Sequence, residues 1–130
     1  MGQSTPFKPI ALVVEDDALQ RELAVVLLEE SDMGVIQCDS AEAALAVLDR
    51  MGRCVSLMFT DVNLAGAMDG LTLAHSAKQR FPNLHVVVTS GTPRTGLPKG
   101  AKFLPKPWRA LDVLREAERT QVPQQSSRAG

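Results

Sequence analysis

Tyrosine is absent from this chain, aromatic residues make up only 4% of it, and cysteine occurs twice in 130 residues. Cys38 and Cys54 have fifteen residues between them. Two thiols at that spacing exclude a disulfide framework and match no metal-knuckle pattern, which points to a reducing cytoplasm. No apolar run approaches the length needed to cross a bilayer, so no membrane partner is expected. The first ten residues, MGQSTPFKPI, lack the apolar stretch of a secretory signal, and Pro6 stands where an N-myristoylation motif needs serine or threonine. In the more basic stretch from residue 94 onward the basic residues are scattered, with only Phe103 and Trp108 near them as aromatics, which argues against direct nucleic-acid binding.

What is present is an ordinary globular composition, 45% hydrophobic and 22% charged. A single domain of this length buries roughly two-thirds of its unfolded surface, enough for an independent core. The net charge of -1 is unevenly spread: residues 1–93 carry six basic and twelve acidic side chains, residues 94–130 eight and three. The basic end is read first as solvated surface and only second as a preference for an acidic partner.

Ile10 to Val14 is a continuous apolar run of the kind a strand buried on both faces requires. In the segment Ala18 to Glu30, Leu19, Leu23 and Leu27 recur every fourth residue beside Val26, marking one helix face. Val35 to Cys38 reads as a second strand. Ser40 then caps a helix with Glu42 in its first turn and Ala44, Leu45, Leu48 and Met51 as its apolar positions. Val55 to Thr60 is a third strand, and Asp69 caps a helix from Gly70 to Arg80, which Pro82 ends. Leu84 to Thr89 contains three consecutive valines and reads as a fourth strand. Phe103 and Leu104 form a short fifth. Trp108 to Arg119 is a last helix with Leu111, Leu114 and Ala117 facing inward. A leader over residues 1–8, a domain over 9–119 and a flexible polar tail over 120–130 complete the expected organisation.

Strand and helix alternate, so an α/β fold with a parallel sheet and helices on both faces is expected, with ligands gathering beyond the carboxyl ends of the strands. Those ends are polar. The first strand runs into Glu15, Asp16 and Asp17; the third into Asp61; the fourth into Thr89 and Ser90; the fifth into Lys106 and Pro107. Each has an ordinary explanation alone, Asp17 as a helix cap for instance. Turn chemistry does not explain an ammonium facing several carboxylates. Clustered acids repel one another unless a cation is present, and magnesium takes one or two carboxylates while leaving positions for phosphate oxygens. A carboxylate in such a site can act as a nucleophile toward phosphorus.

The segments LVVEDDALQREL, FTDVNLAGAMDGLTLA, VVVTSG and FLPKPW together resemble the receiver domain of bacterial two-component response regulators, from about Ile10 to Arg119. The resemblance implies a flavodoxin-like (CheY-like) doubly wound fold, a five-stranded parallel sheet of order 2-1-3-4-5. It implies phosphorylation at Asp61, with Glu15 and Asp16 as the acidic pair. Asn63 would offer its backbone carbonyl to Mg2+ (Mn2+ being possible), Ser90 would be the site hydroxyl with Thr89 as the other candidate, and Lys106 the site lysine. Lys106-Pro107 is a candidate cis bond. Phe103 matches the switch aromatic, against its plainer reading as an ordinary core or edge residue. The implied partners are a histidine kinase or histidine phosphotransfer protein and an unspecified downstream protein, with a monomer or weak dimer as the oligomeric state. The few residues after the last helix suggest the single-domain type.

One stretch departs from the family. GTPRTGLPKGAKFLP, between Ser90 and Lys106, is shorter than usual and holds three prolines and three glycines, so the fourth helix is expected to be absent or reduced. Two other functions compete. A pseudo-receiver would keep the fold as a binding module without being phosphorylated. An aspartate-nucleophile phosphohydrolase would need a general acid two residues after Asp61, where Asn63 carries an amide that cannot shuttle a proton.

Overall fold

The computed structural model describes residues 8–121. The strands are β1 (Ile10–Val14), β2 (Gly34–Cys38), β3 (Val55–Asp61), β4 (His85–Ser90) and β5 (Lys102–Pro105). The helices are α1 (Ala18–Glu30), α2 (Ala41–Met51), α3 (Gly70–Arg80) and α4 (Ala110–Gln121), with a short 3-10 turn at Gly52–Cys54. All strand pairs are parallel, and the order is β2-β1-β3-β4-β5, as the resemblance implied. Among the described residues no helix is long and apolar enough to cross a membrane.

Side chains alternate across a pleated strand, and here the alternation feeds two cores. Leu12, Val14, Met58, Val86 and Val88 point to one face, where Ala44 and Leu48 of α2 and Leu73, Ala74 and Ala77 of α3 cover them. Ala11, Val13, Leu57, Phe59 and Val87 point to the other, against Ala24, Val25 and Leu28 of α1 and Val113 and Ala117 of α4. Central strands apolar on both faces are the sequence signature of this layering.

The caps fall where the sequence put them. Asp17 accepts from the N–H groups of Leu19 and Gln20, Ser40 from Ala43, and Asp69 from Thr72. No helix forms between β4 and β5; residues 91–101 run as turn and loop, in keeping with their prolines and glycines.

Three expectations need correction. Leu19, Leu23 and Val26 do not face the core: they are 82%, 53% and 42% exposed, and of the every-fourth-residue series only Leu27 is buried. Ala24 and Leu28, four apart and almost completely buried, define the inward side instead, because a small side chain at 24 lets the helix axis approach the sheet. In α4 Leu111 is 49% exposed while Val113, not expected inside, is buried. That helix also starts at Ala110 rather than Trp108 and continues to Gln121, so residues 120 and 121 of the expected tail are helical. The rest of that tail, and the expected leader apart from Lys8, lie outside the described residues.

Candidate functional site

Parallel pairing aligns the carboxyl ends of β1, β3, β4 and β5 along one edge, and the polar residues read from those ends meet there. Glu15 follows β1 directly; its N–H donates to the Cys38 carbonyl at 3.0 Å, which extends the sheet by one more rung. Asp61 closes β3, and the next N–H, that of Val62, donates to the Thr89 carbonyl at 3.0 Å. Glu15, Asp16 and Asp61 each place a carboxylate oxygen within 4.8 Å of the others, Asp16 exposed and the other two buried. Asp17, capping α1, stays outside this group.

Lys106 reaches into the cluster from beyond β5. Its ammonium donates to Asp61 Oδ2 at 3.0 Å and to Glu15 Oε1 at 3.2 Å. The Lys106-Pro107 bond is cis, as the sequence suggested. Burial alone would lower the Lys106 pKa, but the hydrogen bond and charge of Asp61, joined by Glu15, outweigh it and hold the ammonium above its ordinary range. Glu15 is raised above the usual carboxylate range, first by burial and next by the charge of Asp61, although the Asp17 N–H and Lys106 pull the other way. Three oxygen-bearing acids against one ammonium form a donor set suited to a hard divalent cation. The chemistry of these residues therefore fits the metal that the sequence implied.

Asn63 lies beside the cluster, its N–H donating to Asp61 Oδ1 at 3.3 Å. The two hydroxyl candidates separate. Ser90 Oγ accepts from the Thr92 N–H at 3.2 Å, tying it to the following loop, and the Ser90 carbonyl accepts from the Lys106 N–H at 2.9 Å. Thr89 Oγ1 is buried with no hydrogen-bond partner among the described residues, next to a void of about 10 Å³ among Glu15, Asp61, Phe59 and Trp108. Phe103, in the middle of the edge strand β5, is half-buried.

Two contributors escaped the sequence reading. Gly70 opens α3 with its Cα against the Asp61 carbonyl, so that any Cβ there would collide with it. Arg94, in the loop after β4, places Nη2 at 3.5 Å from Asn63 Oδ1. Gly70 lies within the FTDVNLAGAMDGLTLA segment, but nothing local marks its contact with Asp61, and an arginine between a proline and a threonine is ordinary loop sequence.

The model of the response regulator receiver domain matches residues 11–117. The chain belongs to that family. Among relatives of this receiver domain, the response regulator receiver protein CpdR of Brucella abortus is 31% identical over 114 residues, covering 83% of this chain and 92% of CpdR. The two-component response regulator ARR21 of Arabidopsis thaliana is 32% identical over 118 residues, 88% of this chain, but the chain spans only 19% of ARR21. Among solved structures, the receiver domain of NtrX from Brucella abortus superposes with a TM-score of 0.71 at 31% identity, covering 85% of this chain and 96% of that one. A CheY-like receiver domain from Methanospirillum hungatei, at 22% identity and a TM-score of 0.79 over 95% of this chain and 99% of that one, shares the fold.

Proposed function

We propose that this receiver domain accepts a phosphoryl group on Asp61 from a phosphohistidine of a histidine kinase or histidine phosphotransfer protein, and thereby switches a protein contact. The observation that carries the reading is the convergence of Glu15, Asp16, Asp61 and Lys106 within hydrogen-bonding and metal-ligating distance at one sheet edge. In the transfer, an Asp61 carboxylate oxygen attacks phosphorus, the P–N bond to the imidazole breaks, and the departing ring takes up a proton from solvent. Glu15, Asp16, Asp61 and the backbone carbonyl of Asn63 would hold Mg2+, or Mn2+ with the same donor set. That cation supplies charge neutralisation for the incoming phosphoryl oxygens. Lys106 is already seated on Asp61 and offers its remaining N–H to the same oxygens, while Ser90 presents a hydroxyl donor at the end of the adjacent strand.

The surface beside the site suits a helical phosphodonor. Leu19 and Leu23 of α1 are exposed, and Gln20, Leu23, Gly91, Lys106, Pro107 and Trp108 line a shallow, mainly apolar cleft of about 470 Å³. An amphipathic helix laid there brings a histidine on its surface toward Asp61. Incubation with acetyl phosphate and Mg2+ is expected to add the mass of one phosphoryl group, and Asp61→Ala to lose it. Equal labelling of Asp61→Ala would refute the assignment. A folded wild-type chain that takes no label would be a pseudo-receiver.

A further inference from the structure

The loop that replaces a helix after β4 is tethered on both sides of Arg94. At its start Ser90 Oγ accepts from the Thr92 N–H at 3.2 Å. At its middle His75 Nε2 on α3 lies 2.6 Å from the Gly96 carbonyl oxygen, and Leu97 packs partly against the core under α2 and α3. Pro93, with its fixed φ, stiffens the span between. Arg94 sits between the anchors, and they hold it over the β3–α3 loop, where Nη2 donates to Asn63 Oδ1 at 3.5 Å. Asn63 in turn donates its N–H to Asp61 Oδ1 at 3.3 Å. The Asp69 carboxyl, kept below its ordinary range mainly by the Thr72 N–H, also feels the Arg94 charge, which places the guanidinium on the same rim.

Lys106 approaches Asp61 from the β5 side, and Arg94 stands on the β3–α3 side. An amide oxygen at the outer limit of hydrogen-bonding distance is a weak partner for a guanidinium. A phosphoryl group on Asp61 carries about one more negative charge than the carboxylate it replaces, and its oxygens match the guanidinium fork.

We propose that Arg94 is a second cationic side chain, after Lys106, for the phosphoryl group on Asp61, leaving Asn63 for the phosphoryl oxygens and drawing the helix-less loop toward the site. This rests on the phosphoacceptor reading above and adds the element that responds to it. Because Ser90 and Gly96 tether the loop on either side of Arg94, a shift of Arg94 is taken up between them.

Beryllofluoride, which forms a tetrahedral adduct on a carboxylate, is the probe. Wild type, Arg94→Ala and Arg94→Lys would be titrated with it at saturating Mg2+ and followed by amide NMR. Loss of one charge-assisted hydrogen bond is expected to weaken beryllofluoride binding at least about tenfold in Arg94→Ala, with partial recovery in Arg94→Lys. The shifts of Thr92, Thr95 and Gly96 on saturation should shrink in Arg94→Ala, while its affinity for Mg2+ alone and its thermal midpoint stay unchanged. Equal beryllofluoride affinity in wild type and Arg94→Ala would overturn the role of Arg94 and leave the phosphoacceptor reading standing. A wild type that binds Mg2+ but neither beryllofluoride nor a phosphoryl group would overturn both.

Discussion

At Gly70 the backbone of α3 presses on the carbonyl of Asp61 so closely that only a residue without a Cβ fits. The Gly70 N–H donates to the Val62 carbonyl at 2.8 Å, fixing the helix start immediately past the aspartate. Gly70→Ala should therefore cost about 3 kcal/mol, the upper range for forced overpacking, because backbone rather than a flexible side chain must yield. Urea unfolding would measure the loss, and phosphorylation from acetyl phosphate should fall with it as Asp61 is displaced. Lys106 invites a different measurement. Its pKa is raised in the folded chain, so the folded state holds that proton more tightly than the unfolded one. The stability it contributes is complete below the ordinary lysine value of 10.5 and is lost as pH rises past it through the folded value. Unfolding free energy recorded across that alkaline range should decline in wild type, and Lys106→Met should lack this component of the decline. Asp61, Glu15, Asp16 and Lys106 were legible beforehand because each stands at the end of an apolar run, where a charged residue has no role in the core. Gly70 and Arg94 were not, because what matters about them is which loop they touch.

Among elements, α4 is held by a buried carboxylate as well as by its apolar side. Glu116 is only 5% exposed, accepts from or pairs with His85 of β4 at 2.8 Å, and lies 3.9 Å from the Lys102 ammonium of β5. It links the helix to the first residues of two strands at the end of the sheet opposite Asp61. Removing it leaves His85 without its partner in a half-buried position, so Glu116→Ala should cost about 1–2 kcal/mol by thermal or urea unfolding. Lys102→Ala, whose side chain is 42% exposed, should cost less than about 1 kcal/mol. The starts of α1, α2 and α3 were readable from caps, since Asp17, Ser40 and Asp69 each begin a helix with a side-chain oxygen on its free N–H groups. The rotation of α1 was not. Its leucine series suggests a buried stripe, yet the contact with the sheet runs through Ala24 and Leu28 and leaves Leu19 and Leu23 outside. Periodicity reports that a helix has an apolar side, while the size of the residues beneath decides which side docks.

For the whole molecule, the two cores and the polar edge come from one geometrical fact: parallel strands put all their carboxyl ends at the same edge and all their alternate side chains on opposite faces. The acidic cluster, the Lys106 ammonium, the exposed leucines of α1 and the helix-less loop with Arg94 accordingly share one end. The sequence by itself determined the alternation of strands and helices, a parallel sheet covered on both faces, the loss of the helix after β4, and the residue types delivered to the strand ends. These follow from local physics: apolar periodicity, capping oxygens, and the unsuitability of proline and glycine for helix interiors. Only the tertiary structure decided which oxygens Lys106 bridges, that Thr89 Oγ1 goes unpaired while Ser90 Oγ tethers the next loop, and that Arg94 reaches Asn63. Apart from the local Ser90–Thr92 turn, those contacts join residues on different loops and strands. They depend on how helices rotate and loops close over the sheet, which no local pattern encodes.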